Sequence, residues 1–232
     1  MISLLSKLMN QIIPYSCVLC HQKSNNNFDL CHKCEHQMAI NRQACQCCAI
    51  PIEGTALVCG KCQQHPPFFQ QSFIPFIYQD PIRHLILQLK FHEKLYAAKI
   101  LGHLLATQIK QNNKALPELI IPVPLHPTRQ KQRGFNQTIE ISRFLSHKLN
   151  IQMDNSIIIK EIHTQPQIDL SRIEREKNLA NVFSVKKTPV AQHIAIVDDV
   201  VTTGHTVNQI AKLLQSTGVE KIDVWAIART VT

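Results

Sequence analysis

Residues 194–207 read "IAIVDDVVTTGHTV". An apolar run ends in two adjacent carboxylates, Asp198 and Asp199, and then turns through Thr202, Thr203 and Gly204. From His193 to Val200 the run is apolar without alternation, the pattern of a strand covered on both faces. Residues 206–217, "TVNQIAKLLQST", carry apolar positions at helical spacing and stop before Gly218. A buried strand followed at once by a helix predicts a mostly parallel sheet with helices on both faces. The chain has only six glycines. Gly204 therefore marks a place where the backbone must turn tightly or approach a ligand closely.

The flanking sequence repeats the same alternation. "SFIPFIY" (72–78) reads as a strand that Pro75 confines to an edge. "PIRHLILQLKFH" (81–92) and "LYAAKILGHLLATQIK" (95–110) are apolar at helical spacing. "ELIIPVPL" (118–125) reads as a short buried strand, "NQTIEISRFLSHKL" (136–149) as a helix and "SIIIKEI" (156–162) as another strand. "KIDVWAIA" (221–228) is expected to close the sheet. Ligands of such sheets bind beyond the carboxyl ends of the strands, where the Asp-Asp loop lies.

Three chemistries could use that loop. Adjacent carboxylates can hold Mg²⁺, accept a phosphoryl group, or accept hydrogen bonds from a ribose diol. A phosphoacceptor site would need further acidic residues at an earlier strand end, and "IIPVPL" and "IIIK" supply none. The nucleotide-hydrolysing loop G-x-x-x-x-G-K-[ST] is missing from the sequence. Backbone N–H groups around Gly204, with the helix N-terminus behind them and threonine hydroxyls beside them, suit a phosphate monoester.

The amino-terminal third is chemically different. All nine cysteines lie between Cys17 and Cys62, and eight form four C-x-x-C pairs: Cys17 and Cys20, Cys31 and Cys34, Cys45 and Cys48, Cys59 and Cys62. Each such turn points two sulfurs at one ion, so four turns make two closed tetrahedral sites, and two structural Zn²⁺ ions are expected. Pairing in chain order needs the least loop closure. A cross-brace joining first with third is the alternative. Cys47 is the spare thiol, and His21, His32 and His36 are bystanders to a full cysteine set. A zinc with four protein ligands has no open position for water, so this block is structural. "QQHPPFF" (63–69) reads as the linker, which divides the chain into a metal domain at 1–66 and an α/β domain at 67–232.

Composition narrows the class further. Hydrophobic residues make up 44% of the chain, and no stretch reaches the length of a membrane span. "MISLLSKLMNQIIPY" lacks a basic leader and a small-residue cleavage site, and reads as a short amphipathic helix rather than a signal peptide. A reducing cytoplasmic setting follows from the metal reading of the cysteines. The formal charge of +9 falls to about +5 once eight thiolates hold two Zn²⁺. The surplus sits in the larger domain, where residues 71–232 hold 20 Lys and Arg against 13 Asp and Glu. Phosphate-rich partners fit such a surplus.

With these residues in view, "VDDVVTTGHT" resembles the phosphoribosyl-pyrophosphate signature of type I phosphoribosyltransferases, V-D-D-V-x-T-T-G-x-T. The four cysteine pairs, "LKFHEK" (89–94), "VPLHPTRQKQRGFNQ" (123–137), Q-x-x-L (167–170) and N-x-x-N-V-F (178–183) extend the resemblance. In this order they are similar to the ComF/GntX family of bacterial competence and DNA-utilisation proteins. The resemblance implies a type I phosphoribosyltransferase-like domain behind a double zinc ribbon.

The resemblance also implies roles. Asp198 and Asp199 would meet the ribose hydroxyls, and Thr202, Thr203, Gly204, His205 and Thr206 would enclose the 5′-phosphate. Arg129, Arg133, Gly134, Asn136 and Gln137 fall where the pyrophosphate is held. Arg133 is the best electrostatic candidate, since a guanidinium suits a phosphate. Gln167, Arg175 and Asn178 fall in the covering loop (163–178). The ligand implied is phosphoribosyl pyrophosphate with Mg²⁺. Single-stranded DNA and the DNA-uptake machinery are the implied partners, with peripheral contact at the inner membrane. Two positions depart from the pattern: Ile162 stands where relatives often carry Arg, and His205 fills a slot usually held by a small residue. No acceptor-recognition element and no general base stand out; Glu161 and Asp169 are candidates for the base. An active transferase, a binding protein and a zinc-scaffolded adaptor with a vestigial site are the three functional readings.

Overall fold

The computed structural model describes residues 15–24, 26, 28–112, 115–161 and 182–231. The amino-terminal segment read as an amphipathic helix and the covering loop with Gln167, Asp169, Arg175 and Asn178 lie outside them.

Two short helices, α1 (His32–His36) and α2 (Gly60–Gln64), belong to the cysteine block. The α/β body then runs β1 (Gln71–Phe73), β2 (Phe76–Ile77), α3 (Ile82–His92), α4 (Leu95–Gln111), β3 (Leu119–Pro122), α5 (Pro127–Arg133), α6 (Gln137–Leu149), β4 (Gln152–Met153), β5 (Ile158–Lys160), β6 (Phe183–Val185), β7 (His193–Val201), α7 (His205–Gln215) and β8 (Lys221–Arg229). The main sheet has the order β1-β8-β7-β3-β4, with β2 continuing along β8, and every pairing in it is parallel.

The period of two sorts the strand residues between two cores. Ile120, Ala195, Val197, Trp225 and Ile227 face α3, α4 and α6. Leu119, Ile121, Ile194, Ile196, Ile222 and Val224 face α7 and the strand pair β5–β6. Ile194, Ala195, Ile196 and Val197 are fully buried, which is why β7 reads as an unbroken apolar run. On the first face α4 and α6 approach closely at Gly102, where a Cβ would lie 2.9 Å from the Phe144 ring. Only a glycine fits between those helices there.

Two expectations need correction. Residues 158–160 form no part of the parallel sheet: β5 pairs antiparallel with β6 as a separate ribbon. Its apolar side chains gave it the appearance of a sheet strand, because Ile157 and Ile158 pack under α7's core. β8 does not close the sheet but lies inside it, between β1 and β7. Its residues are buried on both faces, which an edge strand's would not be. Finally, "HPTRQKQR", to which the sequence assigned no element, forms a short helix. His126 caps it, with Pro127 at its first position, and none of its residues is buried.

The topology defines a crevice. From β3 the chain passes through α5 and α6 to β4, on one side. From β7 it passes through α7 to β8, on the other. β3 and β7 are neighbours whose connections diverge, which is a topological switch point. The loops leaving their carboxyl ends, residues 123–126 and 202–204, flank that crevice.

Candidate functional site

The strand β7 runs through the acidic pair to Val201, so Asp198 and Asp199 belong to the strand end and not to the loop. Being adjacent on a strand, they leave it on opposite sides. Asp198 is half-buried and accepts a 2.8 Å hydrogen bond from the Asp199 N–H. Burial, followed by the negative charge of Asp199, pushes its carboxyl up to about 7. Asp199 is only 3% exposed. Its Oδ1 lies 2.8 Å from Lys90 Nζ, while its Oδ2 is buried with no hydrogen-bond partner among the described residues.

Beyond Val201 the chain bends at Thr202 and Thr203, both exposed, and reaches Gly204. Gly204 has φ +78° and forms the N-cap of α7. A Cβ there would find space, with its nearest neighbour 4.0 Å away, so the left-handed backbone is what calls for glycine. No side chain of Gly204 can cap α7, and the first turn carries no acid. Thr203 Oγ1 accepts from the His205 N–H at 3.4 Å, and the remaining leading N–H groups of this eleven-residue helix form the positive end of its dipole. His205 is exposed at the first helical position and Thr206 is half-buried behind it.

The opposite wall comes from α5 and the start of α6. Arg133 donates to Gln137 Oε1 at 2.7 Å, and its guanidinium carbon lies 5.6 Å from the Phe91 ring centroid. Gly134 takes φ +73° to end α5. Asn136 is buried and serves as the N-cap of α6, its Oδ1 accepting from Thr138 N at 3.0 Å and its Nδ2 donating to Val123 O at 3.1 Å. Asn136 and Gln137 therefore hold the wall in place, while exposed Arg129 and half-buried Arg133 carry its charge.

Two cations escaped the sequence reading. Lys90 sits in "LKFHEK", quoted as a motif without a role, and the structure places it on Asp199. Lys160, on β5, has its ammonium pKa lowered by burial and then by Arg129, with Asp198 acting the other way. Lys160 thus feels charge from both Arg129 and Asp198. Only a prediction that folded the β5–β6 ribbon back over the sheet would have found it. Glu161, a candidate base, is occupied otherwise: Ser184 Oγ donates to it and Lys186 lies 4.0 Å away.

Among the described residues two side-chain clusters could hold a metal ion. Cys17, Cys20, Cys31 and Cys34 form one cluster and Cys45, Cys48, Cys59 and Cys62 the other, each with all sulfurs within 4.8 Å. The pairing is sequential. The separations Cys20–Cys31 and Cys48–Cys59 are 3.7 and 3.8 Å. A tetrahedron of Zn–S bonds of ~2.3 Å has edges of about 3.8 Å, so the thiols fit Zn²⁺ as they stand. The two ribbons repeat at an offset of 28 residues from Cys17 to Cys45 and onward. In each, the residue after the first C-x-x-C takes positive φ (His21 60°, Ala49 54°), and the second C-x-x-C begins at the N-cap of α1 or α2.

The ribbons are not a separate appendage. Residues 39–41 pair with the β2 edge, with Ile77 N donating to Ala39 O and Asn41 N to Pro75 O at 2.9 and 2.7 Å. Cys17, Phe28, Leu30 and Met38 share one core with Phe76, Ile82 and Ile86. Arg229, 3% exposed at the end of β8, donates from Nε to Cys48 O at 3.0 Å. From Nη1 it donates to Val201 O at 3.1 Å and also to Thr202 O. One buried guanidinium thus ties the second zinc ribbon to the entry of the Gly204 loop. Between them lies a cleft of about 880 Å³.

The protein is thus a parallel α/β body, with an acidic pair and a helix N-terminus at its switch point, joined to two Cys₄ ribbons. Residues 8–63 match the double zinc ribbon domain. The chain is 34% identical over 224 residues to the DNA utilization protein YhgH of Escherichia coli K12, covering 94% of this chain and 99% of that one. It is 35% identical over 232 residues to competence protein F of Haemophilus influenzae, covering 95% and 100%. A looser likeness, 19% identical with a TM-score of 0.36, relates 59% of this chain to 85% of a purine phosphoribosyltransferase from Pyrococcus horikoshii. The chain belongs to the ComF/GntX family of competence and DNA-utilisation proteins.

Two predictions follow from the site's geometry. Metal analysis of the purified chain should give two zincs, and Cys48→Ser should lower that count to about one while loosening the Gly204 loop through Arg229; an unchanged count would contradict the clusters. The raised carboxyl of Asp198 has a stability consequence. Between about pH 4, the unfolded value, and about 7, the folded chain keeps a proton that the unfolded chain releases, so this group's contribution falls as pH rises. Asp198→Asn should therefore gain in melting temperature over the parent as pH goes from 5 to 8. A difference that does not change with pH would show that Asp198 has an ordinary carboxyl.

Proposed function

We propose that this protein binds phosphoribosyl pyrophosphate, with Mg²⁺, at the β3–β7 crevice and acts in natural competence, in the uptake and use of exogenous DNA. The observation that carries the reading is the acidic pair and the Gly204 loop lying side by side at the switch point, with the charges of Arg129 and Lys160 nearby. The pair would accept the ribose hydroxyls. The α7 N-terminus, with Thr202, Thr203 and Thr206, would take the 5′-phosphate. Arg129 and Arg133 would face the diphosphate, where Mg²⁺ would offset its charge.

Contact with single-stranded DNA is supported by the cleft beside that loop. Lys61, His65, Phe68 and His205 line it, and none of its lining residues is Asp or Glu. Basic groups that track phosphates and an aromatic ring that stacks a base are what such strands need. The zinc thiolates fit a reducing compartment, so the cytoplasm is the proposed location. No helix among the described residues is long and apolar enough to cross a membrane. Attachment to the uptake machinery would be peripheral.

Calorimetry should show phosphoribosyl pyrophosphate binding lost in Asp198→Asn with Asp199→Asn, while circular dichroism and zinc content stay as in the parent; unchanged affinity would remove the ribose assignment. Release of pyrophosphate on adding one of a panel of bases and amines would extend the reading from binding to transfer. For DNA, the logarithm of affinity for an oligonucleotide should fall with the logarithm of salt concentration, with a slope of about 0.7 per phosphate neutralised. A flat response would count against direct strand contact.

A further inference from the structure

The two thiol clusters stand differently toward the body. All four ligands of the first, Cys17, Cys20, Cys31 and Cys34, belong to or pack on the core that α3, α4 and α6 cover. In the second ribbon Ala49 enters a core, and among the described residues none from 50 to 68 joins either one. The halves of that second ribbon differ again. Its first turn is fastened to the sheet: Ser72 N donates to Gln46 O at 3.1 Å, Ser72 Oγ to Cys47 O, and Arg229 Nε to Cys48 O. Its second turn has no such tie. Among the described residues, no hydrogen bond joins 58–66 to the α/β body. One backbone bond, from Gln46 N to Leu57 O, precedes this turn. Beyond it the two turns meet through sulfur, with Cys59 N 3.3 Å from Cys45 Sγ and the Cys48 and Cys59 sulfurs 3.8 Å apart.

The loosely held turn lines the cleft of about 880 Å³. Cys59, Lys61, Cys62 and His65 belong to it from the ribbon, and Gly204, His205 and Asn208 from the body. A cluster that binds Zn²⁺ through four thiolates thus joins a wall that the body does not hold to a turn that it does. We infer that the two zincs are inequivalent: the first is a member of the core, and the second is the fastening that gives the DNA cleft its outer wall. Loss of the second zinc leaves the α/β fold standing and opens the cleft. A strand seated in the cleft in turn tightens that zinc and not the first, because coupling between two sites is reciprocal. The strand half of this statement rests on the DNA contact proposed above; the inequality of the zincs does not.

The test uses the full zinc-loaded chain, a chromogenic chelator and an oligothymidylate. Chelator titration of the parent should remove the zincs in two steps of one each, since giving up the first also costs folding free energy of the core. Cys59→Ser should hold one zinc, keep the parent's circular dichroism and lose the easier step. Its affinity for the oligothymidylate should fall about tenfold, the worth of one stacked base. Cys59→His, which still offers a ligand, should keep two zincs and bind as the parent does. Saturating oligothymidylate should make the easier step harder by the same factor and leave the other unmoved. Removal of both zincs in a single step, a measurement on the parent alone, would overturn the inequality. Equal strand affinity in the parent and Cys59→Ser would overturn the zinc-held wall and leave the DNA reading intact. A parent that binds no strand would overturn that reading and the strand half together, while the chelator steps still decide the inequality.

Discussion

The burial of β7 on both faces is the constraint on which the rest depends. With β8 on one side and β3 on the other, its first residues can be nothing but apolar, and Ile194 to Val197 are. The strand nevertheless continues past the core into two carboxylates. Burying an ionised group is costly unless it is paired or protonated, and the two residues take different routes. Asp199 pairs with Lys90. Asp198 keeps partial exposure and a carboxyl raised to about 7. The sheet therefore places the pair at the point where its connections diverge, and the flanking helices fix its charge.

Arg229 links this centre to the metal block. Its side chain is almost fully buried, so its guanidinium must be satisfied by carbonyls, and those available are Cys48 O, Val201 O, Thr202 O and Thr230 O. Cys48 is a member of the second thiol cluster. The zinc ribbon and the loop before Gly204 are thus fastened through one residue at the end of β8. A metal site too small to form a core of its own has been given part of the body's core instead, through Phe28, Leu30 and Met38. The boundary suggested by "QQHPPFF" separates compositions more than it separates structures.

Much of this was legible in the sequence, for physical reasons that differ by element. The long strands β7 and β8 and the helices α4, α6 and α7 bury continuous stripes, and burial is what periodicity records. The cysteine pairs were legible because metal geometry fixes their spacing. The β5–β6 ribbon was misread because a three-residue strand carries no periodicity, and its partner strand begins only at Phe183, after a long polar segment. β4, two residues long, left no signal at all. The basic helix α5 hid for another reason: with no buried residue it lacks an apolar face. At the site, Asp198, Gly204 and Arg133 carry local signatures, whereas Lys90 does not. Its meaning lies in a contact with Asp199 across more than a hundred residues, which only the packing of α3 creates.

The same contacts bear on how the site would work as a switch between empty and filled. The acidic pair, the α7 N-terminus and the basic wall come from three elements, and each is already anchored without a ligand: β7 by the sheet, α7 by Val207, Ile210 and Leu214, and the wall by the Asn136 cap. Binding then costs little reorganisation of the walls, which is the condition under which modest contacts give useful affinity. Arg133 is the exception, since it is held by Gln137 and rests on the exposed ring of Phe91. A diphosphate would have to compete for that guanidinium. The charge of Arg133 is therefore held by a neutral hydrogen-bond partner and an aromatic face. Both yield it more readily than a carboxylate would.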